Sequence, residues 1–508
     1  MRNRRDTQPG GVMRRLARTG SSIAAVLVMI VASIASPAAA TELSLVFTST
    51  MADIEPVENE GGLVNLATFL RARRGEGPTL FLHGGASLAA GVLSSFDKGA
   101  HMIDLLNDLQ PDMMAVTKRD LAFGTDELTL RGYEARFPLL SANAIDRRTG
   151  KVLEGLEPSL LIDTVVGRIG VVAVTSPELT VQYIVPDIQV LPPSDAAAVA
   201  RSLRGKGAEF VVAVVDNTPE VIEELRREPA IDLLVQLAAS GKDSLEVADG
   251  RGFGVHSNVK GTAFLMRLER EGAGRPVLAR GEIVKLAGVP ADPEMTTRVD
   301  VYRKRLSDLL DIKVGVTATP LDTRREAVRS GENAFASFIA DTMRMVLGTD
   351  VALFNGGNIR GNRQYAPDTV LTRRDIQREL PFRDIITRTR LKGGALREAL
   401  EVSAAGVETL KGGFLHVSNM EVVYDLKQPA GSRVVSVKVG GKPLDPEAEY
   451  SVGLPSYLAQ GGDGYAMLKR SGPPSPAENA KLLWEIMAQR LGDLGTIAPR
   501  LDGRITMR

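Results

Sequence analysis

Apolar residues recur along the chain in two long stretches of mixed α and β character. In the first, Leu43 to Thr48 reads as a strand, and Leu63, Leu66, Ala67 and Leu70 fall on one helical face behind Gly61 and Gly62. Thr79 to Leu82 is a buried strand that runs into Gly84 and Gly85. Met102, Ile103, Leu105, Leu106 and Leu109 mark a second helix. Val165 to Val174, Phe210 to Val215 and Ile231 to Val235 are strong β runs. Strand, glycine-rich loop and helix in repetition predict a layered α/β domain over residues 41–285, with its functional groups on loops at the strand ends. Over residues 286–320 the pattern loosens. Pro290, Pro293 and Pro320 punctuate it, and Val299 to Leu310 reads as a charged helix in an interdomain connector. A second α/β-type domain is expected over residues 321–508. One helix there shows Phe335, Phe338, Ile339 and Met343 on a face, and another shows Leu396 and Leu400. Strands follow at Glu421–Tyr424, Val434–Val439 and Tyr450–Leu454.

One stretch of the second domain stands out. Val351, Ala352, Leu353 and Phe354 form a short apolar run that stops at Asn355, Gly356 and Gly357, with Arg360 close behind. The glycines predict a sharp turn with positive φ and close approach of a ligand or another backbone. Arg360 can present a rigid fork of donors to a carboxylate or phosphate. On spacing alone, a strand-to-helix turn with a surface arginine is the commoner reading, since isolated Gly-Gly turns are common.

The first forty residues read as an address. Arg2, Arg4, Arg5, Arg14, Arg15 and Arg18 precede an apolar run from Ile23 to Ala35, and small residues from Pro37 to Ala40 follow. This is the pattern of a secretory signal cleaved near Ala40, with an uncleaved anchor as the alternative. Arg14 and Arg15 sit in flanks that fit a twin-arginine signal poorly. Cleavage would yield a bacterial periplasmic or secreted protein with no stable membrane span.

Composition narrows the chemistry. At 508 residues the chain is too long for one core. Lys plus Arg equals Asp plus Glu, at 62 each, so net charge gives no reason to expect a nucleic-acid partner. With no cysteine, disulfides, thiolate metal sites and a cysteine nucleophile are excluded. There are 4 histidines: His83, His101, His256 and His416.

Asn355–Arg360, Leu380–Phe382 and Gly461–Tyr465 stand in an order and spacing that resembles the C-terminal domain of the 5′-nucleotidase family, which also holds UDP-sugar hydrolases, cyclic-phosphodiesterase relatives and a thiosulfohydrolase branch. The resemblance extends over nearly the whole mature chain. It implies a layered metallophosphoesterase-like α/β sandwich followed by a second, mixed α/β (α+β) 5′-nucleotidase C-terminal-type domain. Phe137–Asn143 and Gly167–Val172 resemble first-domain segments of the family.

The family uses two divalent metal ions, which activate water and neutralise charge on the phosphoryl oxygens. It draws their ligands from five strand-end loops. Here those ligands are replaced. Thr50 and Ala52 stand where an Asp and a His are implied, and Ala86 follows His83 where a metal-bridging carboxylate is implied. Thr117 to Ala122 put Lys118 at a ligand position and Arg119 and Ala122 at the catalytic His–Asp pair. Asp216 and Leu237–Ser240 stand where further histidines are implied. Like charges a few ångström apart repel by roughly 4 kcal/mol at an intermediate dielectric, so Lys118 and Arg119 oppose cations. The expectation is a metal-free cleft in which Lys118, Arg119, Asp53 and Asp216 pair with one another, with no cofactor and no catalytic residue. His83 and His256 with Asp53 or Asp216 form a weak single-metal site in one reading, and are ordinary packing residues in the other.

For the second domain the resemblance implies a base held between Phe414 and Tyr457, a carboxylate near the ribose hydroxyls at Asp463, and an anion-binding arginine at Arg360. Arg383 is a weaker candidate. Asn358 replaces a third glycine. The substrate-binding set is therefore Asn355, Gly356, Gly357, Arg360, Phe414, Tyr457 and Asp463. Three readings stay open: a non-catalytic protein binding a nucleotide or nucleoside, a nucleotidase or related hydrolase with residual or rebuilt activity, and an envelope scaffold or partner subunit. No protein partner is specified.

Overall fold

The strand Thr41–Thr48 shows how the first half is built. Successive strand residues face opposite ways. Leu43, Leu45 and Phe47 enter a core shared with Leu80, Val171, Val212 and Val235. Val46 belongs instead to a core with Leu66, Leu70, Met102 and Leu105. The computed structural model describes residues 40–51, 54, 61–89, 92–177, 188–192, 195–216, 218–238, 242–257, 261–382, 384–469 and 481–508. The signal-sequence expectation lies outside them.

Two sheets meet across the first of these cores. One runs Val277–Lys285, Thr262–Arg270, Thr41–Thr48, Thr79–His83, Met113–Ala115, Leu139–Leu140, Leu156–Glu157. The other runs Ser244–Ala248, Arg251–Ser257, Leu233–Ala238, Phe210–Val215, Gly167–Val174, Leu160–Thr164. Helices Leu63–Glu76 and Ala100–Leu109 contribute to the core behind the first sheet. Ala197, Ala200, Leu203 and Leu225 contribute to the core behind the second. The result is an α/β/β/α sandwich, as expected. Three local readings change. Val165 and Val166 form the turn of a hairpin rather than part of a strand, and the run expected at Ile231 begins at Leu233. The charged helix spans Pro293–Leu310, starting six residues before Val299. Its Asp292 side chain accepts the Met295 N–H at 2.9 Å, and proline is tolerated in the first turn.

In the second half, Val351–Asn355 is buried on both faces, which is why it reads as an unbroken apolar run. It lies in the sheet Ile386–Lys392, Glu449–Pro455, Val351–Asn355, Leu415–Ser418. Ala352 and Phe354 share a core with Phe335, Ile339 and Met343 of helix Ala334–Leu347, and Val351 and Leu353 share another with Leu396 and Leu400. The helix is capped by Asn333, whose side chain accepts the Ala336 N–H at 3.0 Å. The Phe96 ring lies 5.7 Å from that of Trp484, and Arg374 bonds Asp311 at 2.7 Å.

Candidate functional site

Parallel strands of both sheets end in the loops that carry Thr50, Ala86, Lys118, Arg119 and Asp216. Two imidazoles stitch these loops together. His83 is fully buried, with Thr48 Oγ1 3.1 Å from Nδ1 and Ser87 Oγ 2.8 Å from Nε2. His256 has Ser49 Oγ 2.8 Å from Nδ1, and its ring stands edge-on to Phe47 and Phe264. Burial, reinforced by His256, pushes the His83 pKa down to about 3. Burial also lowers that of His256, against the attraction of Asp243.

Between these loops lies a carboxylate that sequence reasoning passed over. Asp120 is 2% exposed and accepts five hydrogen bonds. Three come from the consecutive N–H groups of Ala86, Ser87 and Leu88 at 2.8, 2.9 and 2.9 Å. The others come from Thr117, through its N–H at 3.0 Å and its hydroxyl at 2.8 Å. Ala86 takes φ 58°, a conformation rare for residues with a Cβ, and this turns its N–H toward Asp120. Asp216 accepts the N–H of Lys118 at 2.9 Å and of Ser176 at 3.3 Å. Burial raises its pKa, the Lys118 bond and charge oppose the rise, and Asp120 adds to it. Asp53 lies outside the described residues.

A pair of hard divalent ions needs several free oxygen and imidazole donors converging at about 2 Å. The residues present do not fit. Ala86 offers no donor, His83 is engaged at both nitrogens, Asp120 is wrapped by its own loops, and Lys118 brings positive charge. Among the described residues no three His, Asp or Glu side chains converge to hold a metal ion.

In the second half the structure brings Asn355, Tyr457 and Asp463 into one hydrogen-bonded group. Asn355 Nδ2 donates to Asp463 Oδ2 at 3.2 Å, and the Tyr457 hydroxyl donates to Asp463 Oδ1 at 3.0 Å. The group closes on its other side through two residues not in the expected set. Asn358 Nδ2 donates to Asn355 Oδ1 at 3.0 Å and also bonds Asp384. Asp384 accepts from the Ser456 hydroxyl at 2.5 Å and the Tyr457 N–H at 3.0 Å, so it caps the short helix Ser456–Ala459 that carries Tyr457. Burial raises the Asp384 pKa, and these bonds hold it back.

Gly356 and Gly357 are required, but not for positive φ, which neither adopts. A Cβ on Gly356 would lie 1.9 Å from the Val328 carbonyl oxygen, and one on Gly357 would lie 2.7 Å from that of Gly412. Backbone, not ligand, makes the close approach. Their N–H groups bond Phe414 O at 2.8 Å and Gly412 O at 2.7 Å. This tight junction bears on the two rings unequally. Phe414 is 1% exposed and packs edge-on to His416 at 5.3 Å, so it offers no open face here. Tyr457 is 44% exposed. Its ring covers Gly462, where a Cβ would lie 2.5 Å from the ring carbons.

Arg360 is exposed, with its guanidinium 5.1 Å from the Phe382 ring centre. It is joined by Arg329, which the sequence reading missed. Arg329 ends the helix Arg325–Arg329, is 8% exposed, and leaves Nε without a hydrogen-bond partner. Burial, then the charges of Arg360 and Arg325, lower its pKa, while Asp463 opposes them. Its only sequence signal is three arginines within Arg324–Arg329. Arg383 lies outside the described residues.

The family profile described as "5′-nucleotidase, C-terminal domain" matches residues 313–470. The human 5′-nucleotidase is 26% identical over 497 residues, covering 88% of this chain and 85% of that protein. Two solved structures share the fold. A putative 5′-nucleotidase from Staphylococcus aureus superposes with a TM-score of 0.70 at 15% identity, over 92% of this chain and 100% of that one. The 5′-nucleotidase precursor from Thermus thermophilus superposes with a TM-score of 0.60 at 24% identity, over 92% and 99%.

Proposed function

The chain belongs to the 5′-nucleotidase family, and from that premise we propose that it is an exported, non-catalytic member that binds a nucleotide or nucleoside in its second domain and lacks the dimetal centre. One contrast carries this reading. The polar groups of the first-half loops are committed to protein partners, while Tyr457, Asp463 and Arg360 remain exposed beside a buried, incompletely paired Arg329. An open aromatic face next to cations suits a planar base joined to an anion. Stacking contributes ~1–3 kcal/mol per base, and guanidinium–phosphate bonds are charge-assisted. Arg329 lies in a partly desolvated setting, where an arriving anion is worth more than at an open surface.

Hydrolysis of a phosphate monoester in this family depends on metal-activated water. The loop residues that would hold the ions are spent on one another, so no hydrolytic step is derived. Export rests on the basic, apolar and small-residue order of residues 1–40. No helix among the described residues is long and apolar enough to cross a membrane.

Phosphate release from nucleoside monophosphates and UDP-sugars, measured with added Mn or Co, tests the catalytic half of the proposal. None is expected, and sustained turnover overturns it. Calorimetry with nucleosides and nucleotides tests the binding half. Saturable heat is expected, and its absence favours a scaffold role.

A further inference from the structure

The outer face of the second sheet is not covered across its whole width. Helix Pro219–Arg227 packs on Leu233–Ala238, and the strands Arg251–Ser257 and Ser244–Ala248 lie beyond it. Gly252 and Gly254 face the inner core, where a Cβ would meet Leu278 and Phe264. Phe253 therefore points outward beside its cross-strand neighbour Glu246, and Arg251 stands beside Ala248. Between these residues and the end of the helix lies a cavity of about 160 Å³. Its wall is apolar: Leu225, Ile231 and Leu234 are buried there, and Phe253 completes it.

The arginines around this cavity are not alike. Arg226 lies 4.1 Å from the Phe253 ring centre and bonds Glu246 at 2.9 Å. Arg201 pairs with Glu228 at 2.5 Å, and Arg204 pairs with Asp232. Arg251 lines the cavity and forms no ion pair among the described residues. Its Nη2 donates to the carbonyl oxygens of Glu228, at 2.8 Å, and of Ile231. Those bonds pin the guanidinium to the turn before Leu233. They leave Nε and Nη1 without a protein acceptor among the described residues. A fixed guanidinium with no counter-ion, beside an apolar wall, matches a carboxylate on an apolar body. A cavity of about 150 Å³ takes a single benzene ring. We propose that this cavity binds a small apolar carboxylate, with its body against Leu225, Ile231 and Leu234 and its carboxylate on Arg251. Arg251 opens its strand, and His256 stands near the other end, about 17 Å away along an extended chain. The site is therefore separate from the strand-end loops of the first half, and it does not depend on the nucleotide-binding reading.

Ligand-observed NMR titration of the full chain tests it, with benzoate and its neutral isostere benzamide as probes. Benzoate should saturate, and benzamide should bind at least about tenfold more weakly. Arg251→Gln should bring benzoate down to the affinity of benzamide. Ala248→Leu keeps the arginine and its two backbone bonds but fills the cavity, and it should weaken benzoate at least about tenfold. Saturating AMP should displace none of the bound benzoate. No saturable binding of benzoate, equal binding of the two probes, or benzoate binding unchanged in either variant overturns the inference. Displacement by AMP overturns it as well, because it puts benzoate in the nucleotide pocket instead.

Discussion

The carboxylate of Asp120 sits 2.8 Å from the N–H of Ala86, and the two residues join the second and third strand-end loops of the first half of the chain. The family resemblance implies cations at these loops. Here they converge on an internal anion that accepts four backbone N–H groups and one hydroxyl. Asp120→Ala would leave those donors buried and unpaired. Unfolding in urea is expected to show a loss of about 3–5 kcal/mol, the scale for breaking a buried charged network. A loss below about 1 kcal/mol would mean the loops are held by something else.

The imidazoles give a pH signature. His83 titrates at about 3 and His416 at about 4 in the fold, and burial lowers His256 as well. In the unfolded chain all three take up a proton near 6.5. Between those values the unfolded state holds more protons, so stability falls as the pH drops. The contribution of His83 and His416 is complete above about pH 6.5 and is lost progressively toward pH 3–4, at ~1.4 kcal/mol per pH unit for each, and that of His256 is lost in the same direction. Melting temperature measured from pH 7.5 to 4 should decline across this window. His83→Gln and His256→Gln should flatten the decline, and an unchanged slope in both would contradict the assignment.

Gly356 has only 1.9 Å between a hypothetical Cβ and the Val328 carbonyl oxygen. Gly356→Ala should therefore force the helix Arg325–Arg329 away from the turn, at a stability cost of about 3 kcal/mol. The same shift moves Arg329, so ligand affinity should fall together with melting temperature. Normal stability and affinity would show that the junction is slack.

Arg329→Gln separates anion recognition from base recognition. A charge-assisted bond is worth ~1.5–3 kcal/mol, so AMP should bind at least about tenfold more weakly to the variant. Adenosine should be affected little. Equal losses for both ligands, or no loss for AMP, would remove Arg329 from the anion site.

The layered fold was legible because it rests on local periodicity. Leu43 to Thr48 declares a strand, and Val351 to Phe354 declares a strand buried on both faces. The pocket's inner connections were not legible. Asp384 reaches Tyr457 from 73 residues away in sequence. Arg329 becomes relevant only because the turn at Gly356 brings Val328 against it. The enclosure of Phe414 was hidden for the same reason: whether its ring is open or enclosed depends on how closely residues 412–414 approach residues 356–357. Nothing in the local sequence records that distance.

The central claim is that the chain binds a nucleotide without a catalytic metal. Calorimetric titration of AMP into chelator-treated protein, repeated with added manganese, tests it most directly. The account predicts the same saturable binding isotherm in both, with no heat of continuing hydrolysis after saturation. Binding that appears only with manganese, followed by sustained heat from turnover, would contradict it.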